Sequence, residues 1–480
     1  MQPKVSSETS PTSLFLIRGN KVQLYNFQTG EVLRETQMEC NPELFELKGH
    51  LSFDKLTYVV YSTNEVALFN LSGNVVAREA DKNICKAKFI DHSNRYFCKI
   101  SKQGTTYVIT LSIWDGQELK KLERFEANFF KVNYEYVRFD RQGEVLAVQT
   151  KPTEIDLFLE HDSKLNHRYK IEIPTQIVDF YVRPGLAFLI ADDLKDGKAT
   201  ISVSVYRLLD KPVLDHKRVF NNVQEAKMHI SDDGSVALVN AHRIMDTTGN
   251  CYYGLEIVFF YNQNNKIFDD VVSHKGSIHD VKLSHCQKNF VVVSGSVPSF
   301  TVLYDAKNNP LHMMSHDFRN QIFSAPNDAF VAIAGFGSLT GEIEIWNYQK
   351  KEFIGGCTSN FASFLKWSSD SAFFVTAVVI EKLKVDHRIS IFSYNGTLLK
   401  KVNLDIPDLI TVDFAFVRPS DQSIIEKPQK KPKPGVTHQV QDGAPKDRRR
   451  SHQKLRARGS THGQGSGHQA DADCRKQPCQ

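Results

Sequence analysis

The residues closest to a chemical signature are glycines. Gly335-Phe336-Gly337-Ser338-Leu339-Thr340-Gly341 approaches a dinucleotide loop, in which glycines let the backbone close on a pyrophosphate and a helix N-terminus supplies N–H donors. Here the spacing is GxGxxxG rather than GxGxxG, and the segment that follows, IEIWNY, alternates as a strand. These glycines therefore read as bulge and turn residues between strands. His274, His279, His285 and Cys286 lie close in sequence, and His312 and His316 are spaced HxxxH. Zinc needs four such groups converging tetrahedrally, whereas strand alternation sends neighbours to opposite faces and HxxxH suits a helix that MMSHDF does not favour. Asp192-Asp193 and Asp232-Asp233 read as turn residues before carboxylate catalysts. Neither a GxSxG elbow nor a GxxxxGK[ST] phosphate loop occurs. The expectation is a binding protein rather than an enzyme, with no catalytic residue, metal or cofactor.

What must position any functional residue is a repeat. Nine times between Val22 and Phe392 the chain writes a short alternating apolar run ending in an aromatic and a polar or turn residue, from VQLYNFQTG at 22 through IEIWNYQKK at 343 to ISIFSYNGT at 389. The period is about 46 residues, within the range of propeller blades. Between these runs lie strand–turn–strand units such as EAKMHISDDGSVALVN, in which period-2 alternation and Asp-Gly, Asn or Ser turns indicate hairpins. They begin near 45, 86, 134, 178, 225, 278, 320, 364 and 412. The last has no outer strand after it, and LFLIRGNKVQLYNFQTG at 14–30 has no hairpin before it, so the two ends are expected to complete one composite blade. The closing contact is placed between a strand at 22–27 and one at 411–417. Asp179-Phe180-Tyr181-Val182-Arg183-Pro184 is echoed at Asp413-Phe414-Ala415-Phe416-Val417-Arg418-Pro419, which supports a true repeat. The fold expected is all-β: a single nine-bladed β-propeller with WD-like blades over 12–426, the N-terminal strands closing the last blade.

Composition agrees. A chain of 480 residues at 41% hydrophobic and 11% aromatic can fill a large β core. No stretch reaches the roughly twenty apolar residues of a membrane span, and AFFVTAVVI at 372–380 reads as a buried strand, so no membrane partner is expected. Residues 1–11, MQPKVSSETSP, are expected to be disordered and show neither an apolar nor an amphipathic Arg-rich targeting pattern. Eight cysteines without paired spacing read as reduced thiols in the cytoplasm, and the Asn-x-Ser/Thr triplets at Asn70 and Asn395 then carry no weight. Charge splits the chain. Residues 427–480 hold thirteen Lys and Arg against four Asp, a net of +9, which leaves 47 basic against 51 acidic in residues 1–426, a net of −4. Rich in Pro, Gly, Gln and His, the tail reads as disordered. Its candidates for RNA contact are Lys427, Lys430, Lys431, Lys433, Arg448, Arg449, Arg450, Lys454, Arg456 and Arg458.

Residues 278–399 go beyond a generic propeller. They contain Val297-Pro298-Ser299-Phe300-Thr301-Val302, a small-residue turn before a Thr-Val strand, then Arg319-Asn320, then Ala334-Gly335-Phe336-Gly337. Gly341 follows, with a strand to Trp346 and Leu383-Lys384-Val385 before the closing strand. This series resembles eukaryotic translation initiation factor 2A. The resemblance implies a nine-bladed ring in a cytoplasmic factor that associates with the small (40S) ribosomal subunit. It further implies codon-dependent, GTP-independent binding of initiator methionyl-tRNA on selected mRNAs, alongside other initiation factors. Arg319 and Asn320 are expected at an exposed turn, touching a partner. The nearest alternatives are the related propeller of the b subunit of initiation factor 3 and a WD-like interaction adaptor. The former carries an RNA-recognition domain ahead of its ring, whereas the first strand here is expected at about Leu14. Against the latter, intact Trp-Asp occurs only at Trp114-Asp115 and, within the expected ring, Gly-His only at Gly49-His50.

Overall fold

The computed structural model describes residues 13–40, 47–127, 135–140, 143–161, 164–195, 198–221, 223, 225–231, 234–243, 255–264, 267–271, 276–284, 289–379, 387–404 and 408–415. They form nine four-stranded antiparallel sheets within the unit Met1–Gln429. A second unit, Lys430–Gln480, lies outside the described residues, as does everything expected of residues 1–11 and of the tail from Lys427 onward.

We number the blades by their inner strands. These are Lys48–Leu51, Ile84–Phe89, Val137–Phe139, Gln176–Arg183, Glu225–Ile230, Ile278–Leu283, Gln321–Ser324, Phe364–Trp367 and Leu409–Phe414, for blades 1 to 9. Each starts within a few residues of an expected hairpin unit. From blade 3 to blade 8 each inner strand touches the next, and that of blade 9 touches that of blade 1, which places them around the axis. The nine aromatic-ended runs all fall on third strands, for example Glu65–Asn70 and Glu342–Asn347. The fourth, outer strand of each blade is absent from the sequence reading. Glu31–Gln37 explains why: it is exposed along most of its length, with no apolar alternation for a core to impose.

Blade faces stack on each other, so a middle strand is buried on both sides; Thr57–Tyr61 is buried at every residue. Phe373–Ala377, within the expected strand 372–380, is of this kind. Polar side chains at the hairpin tips satisfy backbone donors that no ladder reaches: Asp140 Oδ1 accepts from the N–H groups of Glu144 and Val145, both at 2.7 Å. No helix among the described residues is long and apolar enough to cross a membrane. Cys85, Cys98 and Cys357 are free thiols.

Blade 9 is composite, with one correction. Leu409–Phe414 pairs with Ser13–Arg18, not with the strand at 22–27, in the register Leu14 to Phe414, Phe15 to Asp413 and Leu16 to Val412. The Gly19-Asn20 turn folds Lys21–Asn26 back as the third strand, and Glu31–Gln37 is the outer one. Alternation then serves both neighbours. Leu14 and Leu16 pack with Val375, Ala377 and Ile389 of blade 8, while Phe15 and Ile17 pack with Tyr58, Val60 and Ala67 of blade 1. Phe15 stacks flat on Tyr58 with ring centroids 4.4 Å apart. Arg18 Nε donates to Asp408 at 2.7 Å and Gly19 N–H to the Asp408 carbonyl at 2.9 Å, tying the two ends of the ring together.

Deleting residues 1–30 removes two of the four strands of blade 9 and opens two edges. The truncated chain is expected to melt lower and more broadly, and Phe15→Ala alone to cost about 3–5 kcal/mol. An unchanged melting curve for the truncation contradicts this closure.

Candidate functional site

The motif residues assemble at the junction of blades 6, 7 and 8. Arg319 lies in the connection between the outer strand Pro310–Asp317 and the inner strand Gln321–Ser324. It is not exposed as expected: only 2% of its surface is accessible. The cause is in the third strand of blade 7, Glu342–Asn347. Its alternation sends Ile343 and Ile345 toward blade 8 and Trp346 toward Val291, Leu303 and Met314 of blade 6. Glu342 and Glu344 share the Trp346 side, and two carboxylates there need a cation. Arg319 Nη1 donates to Glu342 at 3.1 Å and to the Phe318 carbonyl at 3.0 Å, while Nη2 donates to Glu344 at 2.9 Å and meets Asp317 at 3.5 Å. Trp346 Nε1–H donates to the other oxygen of Glu344 at 3.0 Å, and Ser315 Oγ to the first at 3.1 Å. Ser299 Oγ donates to the Arg319 carbonyl at 2.5 Å, drawing the Val297–Val302 segment into the same network.

Asn320 performs a second task. Its side chain exchanges two 2.9 Å hydrogen bonds with the backbone of Phe336, donating to the carbonyl and accepting from the N–H. This holds the Ala-Gly-Phe-Gly turn and tucks Phe336, 1% accessible, among Phe323, Ala362 and Leu365. A Cβ on Gly335 would lie 2.2 Å from the Phe318 carbonyl oxygen, and one on Gly341 2.2 Å from that of Ser359. Gly337 has open space but φ of +75°, and Gly341 φ of +85°. Gly341 also donates to the Gly335 carbonyl and accepts from Ser359 N–H, both at 2.8 Å. Arg319, Asn320, Gly335, Phe336, Gly337, Gly341 and Trp346 thus form one connected scaffold. The glycines lead into the strand Glu342–Asn347, as a structural loop does and a dinucleotide loop does not.

On its surface the scaffold presents residues that the sequence reading passed over. Val297, Phe318 and Phe361 are 45%, 48% and 54% accessible. Phe361 has φ of +62°, at the third position of the turn closed by Ala362 N–H to the Ser359 carbonyl, where Gly or Asn is usual. Arg388 lies over its ring at 6.0 Å and donates to the Asn360 carbonyl. A bulky aromatic in the left-handed region, solvent-facing and roofed by an arginine, is strain retained without any benefit to the core.

The other candidates dissolve into structure or fall outside the described residues. His316 stacks flat on Phe300 at 4.0 Å, His312 meets the Trp346 edge at 5.8 Å, and His279 pairs with the Gly295 carbonyl at 2.9 Å. No group of three or more potential metal ligands occurs among the described residues. Asp192-Asp193 lies inside the strand Leu186–Lys195, not in a turn; Asp192 is opposite Gln176 and Ile201, and Asp193 is opposite Thr200. His274, His285, Cys286, Asp232-Asp233, Leu383-Lys384-Val385 and every tail cation from Lys427 to Arg458 lie outside the described residues.

Nine sheets closed by the N-terminal strand define the class: a nine-bladed β-propeller whose blade 6–8 junction is built on a buried arginine. A solved structure described as a crystal structure of the eukaryotic initiation factor shares this fold, with a TM-score of 0.68 and 18% identity over 84% of this chain and 98% of that one. The more particular relationship is to eukaryotic translation initiation factor 2A, whose family model matches residues 217–411, from the outer strand of blade 4 to the inner strand of blade 9. Factors of that name are 32% identical over 200 residues in Dictyostelium discoideum and 29% identical over 180 residues in Drosophila melanogaster. Those matches cover 42% and 38% of this chain, and 32% and 28% of the relatives, so the matched part spans about a third of their length. The b subunit of initiation factor 3 from Xenopus laevis is 28% identical over 241 residues, 48% of this chain and 34% of that protein.

Arg319→Ala strands two carboxylates at the junction and is expected to destabilise by about 3–5 kcal/mol. Arg319→Lys recovers only part, because an ammonium cannot fork to both. Gly335→Ala, with a backbone oxygen in the way, should cost more than Gly337→Ala, which meets only a φ penalty of about 1 kcal/mol. Denaturant unfolding of the four variants checks the order; a melting temperature unchanged in Arg319→Ala contradicts the scaffold.

Proposed function

We propose that this protein is a translation initiation factor that associates with the small (40S) ribosomal subunit and directs codon-dependent, GTP-independent binding of initiator methionyl-tRNA on selected mRNAs. It acts in the cytoplasm, as a binding protein rather than an enzyme, alongside other initiation factors. The observation that carries this reading is the family match at 217–411, which encloses the whole Arg319 scaffold. A scaffold this rigid serves to fix a surface, and the surface it fixes is that of Val297, Phe318 and Phe361. In this reading the ring supplies placement through that face, and the +9 tail supplies long-range attraction to ribosomal RNA that a ring of net −4 does not. The likeness to the b subunit of initiation factor 3 favours a second reading, a propeller scaffold within a larger assembly. Direct retention of initiator methionyl-tRNA on the 40S particle separates the two.

Sedimentation with purified small subunits across a salt series tests the division of labour. With about five tail cations on phosphates and a slope of roughly −0.7 per contact, raising salt from about 50 to 200 mM should weaken binding on the order of a hundredfold. Removing residues 427–480 should flatten that dependence; equal slopes contradict the role given to the tail. Phe361→Gly relieves the left-handed strain, so it should keep or raise the melting temperature while weakening association with the 40S particle. Undiminished association at that substitution, and also at Phe318→Ala, removes this face from the account.

A further inference from the structure

The sign of charge inverts toward the axis. The nine inner strands carry eight Lys and Arg against four Asp and Glu, a net of +4, inside a ring whose residues 1–426 sum to −4. The excess gathers on one stretch of the axial wall. In blade 2, Ala87 and Phe89 are buried in the sheet stack, so Lys86 and Lys88 project together on the opposite side. Both ammonium groups bond the single carboxylate of Glu135, Lys86 at 2.7 Å. Next to them Arg138 of blade 3 donates to Asp179 of blade 4 at 2.7 Å, and its Nε is buried without an acceptor. From the other direction Lys366 of blade 8 reaches Asp413 of blade 9 at 2.7 Å. His50 of blade 1 feels Lys88 and Lys86 of blade 2 and Lys366 of blade 8 at once, together with Glu135, which brings these groups to one region of the wall. Among the described residues these four cations meet Glu135, Asp179 and Asp413, and Lys86 and Lys88 share Glu135.

We propose that this stretch of the axial channel is a binding site for a small phosphate-type anion, held by Lys86, Lys88 and Arg138, with Glu135 as the internal counter-ion it displaces. A tetrahedral oxyanion offers acceptors to both ammonium groups and to the unused guanidinium N–H, which one carboxylate does not. The titration of the wall runs the same way. Burial pushes the Lys88 ammonium down, against the pull of Glu135, and pushes the His50 imidazole down to about 4, with Lys88, Lys366 and Lys86 adding to it. Burial alone would raise the Glu135 carboxyl, yet Lys88 and Lys86 hold it at about 2. The Glu135 depression and the lysine contribution at His50 report an excess of positive charge on the wall, while the first cause at Lys88 and His50 is burial. Free orthophosphate, a nucleotide and the 5′-phosphate of an RNA end all present this chemistry.

The test uses the full chain and compares sodium phosphate, ATP and a short oligonucleotide with or without a 5′-phosphate against sodium chloride at matched ionic strength. Phosphate is expected to raise the melting temperature above the chloride control, and the double variant Lys86→Met, Lys88→Met to abolish that difference. The NMR titration midpoint of His50 should move upward from about 4 when phosphate is present, because a nearby anion favours the imidazolium. Should the double variant not fold, Glu135→Gln decides. Freed of its internal competitor, the site should bind phosphate on the order of tenfold more tightly, whereas a merely structural ion pair predicts no gain. Stabilisation equal to that by chloride, or a phosphate effect that survives the double variant, overturns the proposal, and competition of ATP or of the 5′-phosphorylated oligonucleotide with orthophosphate identifies which source the site takes.

Discussion

Every blade of this ring depends on having two neighbours. The middle strands are buried on both faces, so a single sheet leaves an apolar surface open on each side and gains stability only when the next sheet covers it. A linear stack of such sheets always ends in two uncovered faces. The antiparallel pairing of Ser13–Arg18 with Leu409–Phe414 removes both ends at once. It does so with one strand whose alternate residues face blade 8 and blade 1, which makes this short segment the keystone of about 400 residues.

Against that uniform architecture the junction of blades 6, 7 and 8 stands out. Charged pairs cross other seams too, such as buried Lys99 of blade 2 with Glu79 and Asp81 beside blade 1. The junction of blades 6, 7 and 8 buries an arginine, with carboxylates drawn from the connection and from a third strand, and braces a glycine turn with an asparagine. Replacing such a network by apolar side chains is often neutral or stabilising in general, so its presence is better explained by the loops it orients than by the stability it adds. The loops it orients are those carrying Phe318 and Phe361.

Much of the fold was legible in the sequence because burial leaves a periodic mark. All nine third strands and all nine hairpin units were readable, since their apolar residues answer to a core on a fixed spacing. The outer strands, such as Glu31–Gln37, were not, because solvent imposes no pattern on them. The composite blade was foreseen, but its register was off by one strand: both 13–18 and 21–26 are apolar enough to lie beside 409–414, and only the Gly19-Asn20 turn decides between them. Arg319 misled in the usual way of a charged residue beside a turn. Its burial depends on Glu342 and Glu344, more than twenty residues away and brought near only by blade packing. The strain at Phe361 and the charge inversion along the axis likewise exist only once the chain is closed.

The central claim is that closure by the N-terminal strand makes the ring one cooperative unit. Native-state hydrogen exchange at the amides of Ser13–Arg18 and Leu409–Phe414 tests this most directly. The account predicts that these amides are protected as strongly as those in the middle strands of blades 4 and 7, and that all of them open together with the same denaturant dependence. Exchange of the two closing strands at a distinctly lower free energy, while the remaining blades stay protected, would contradict it.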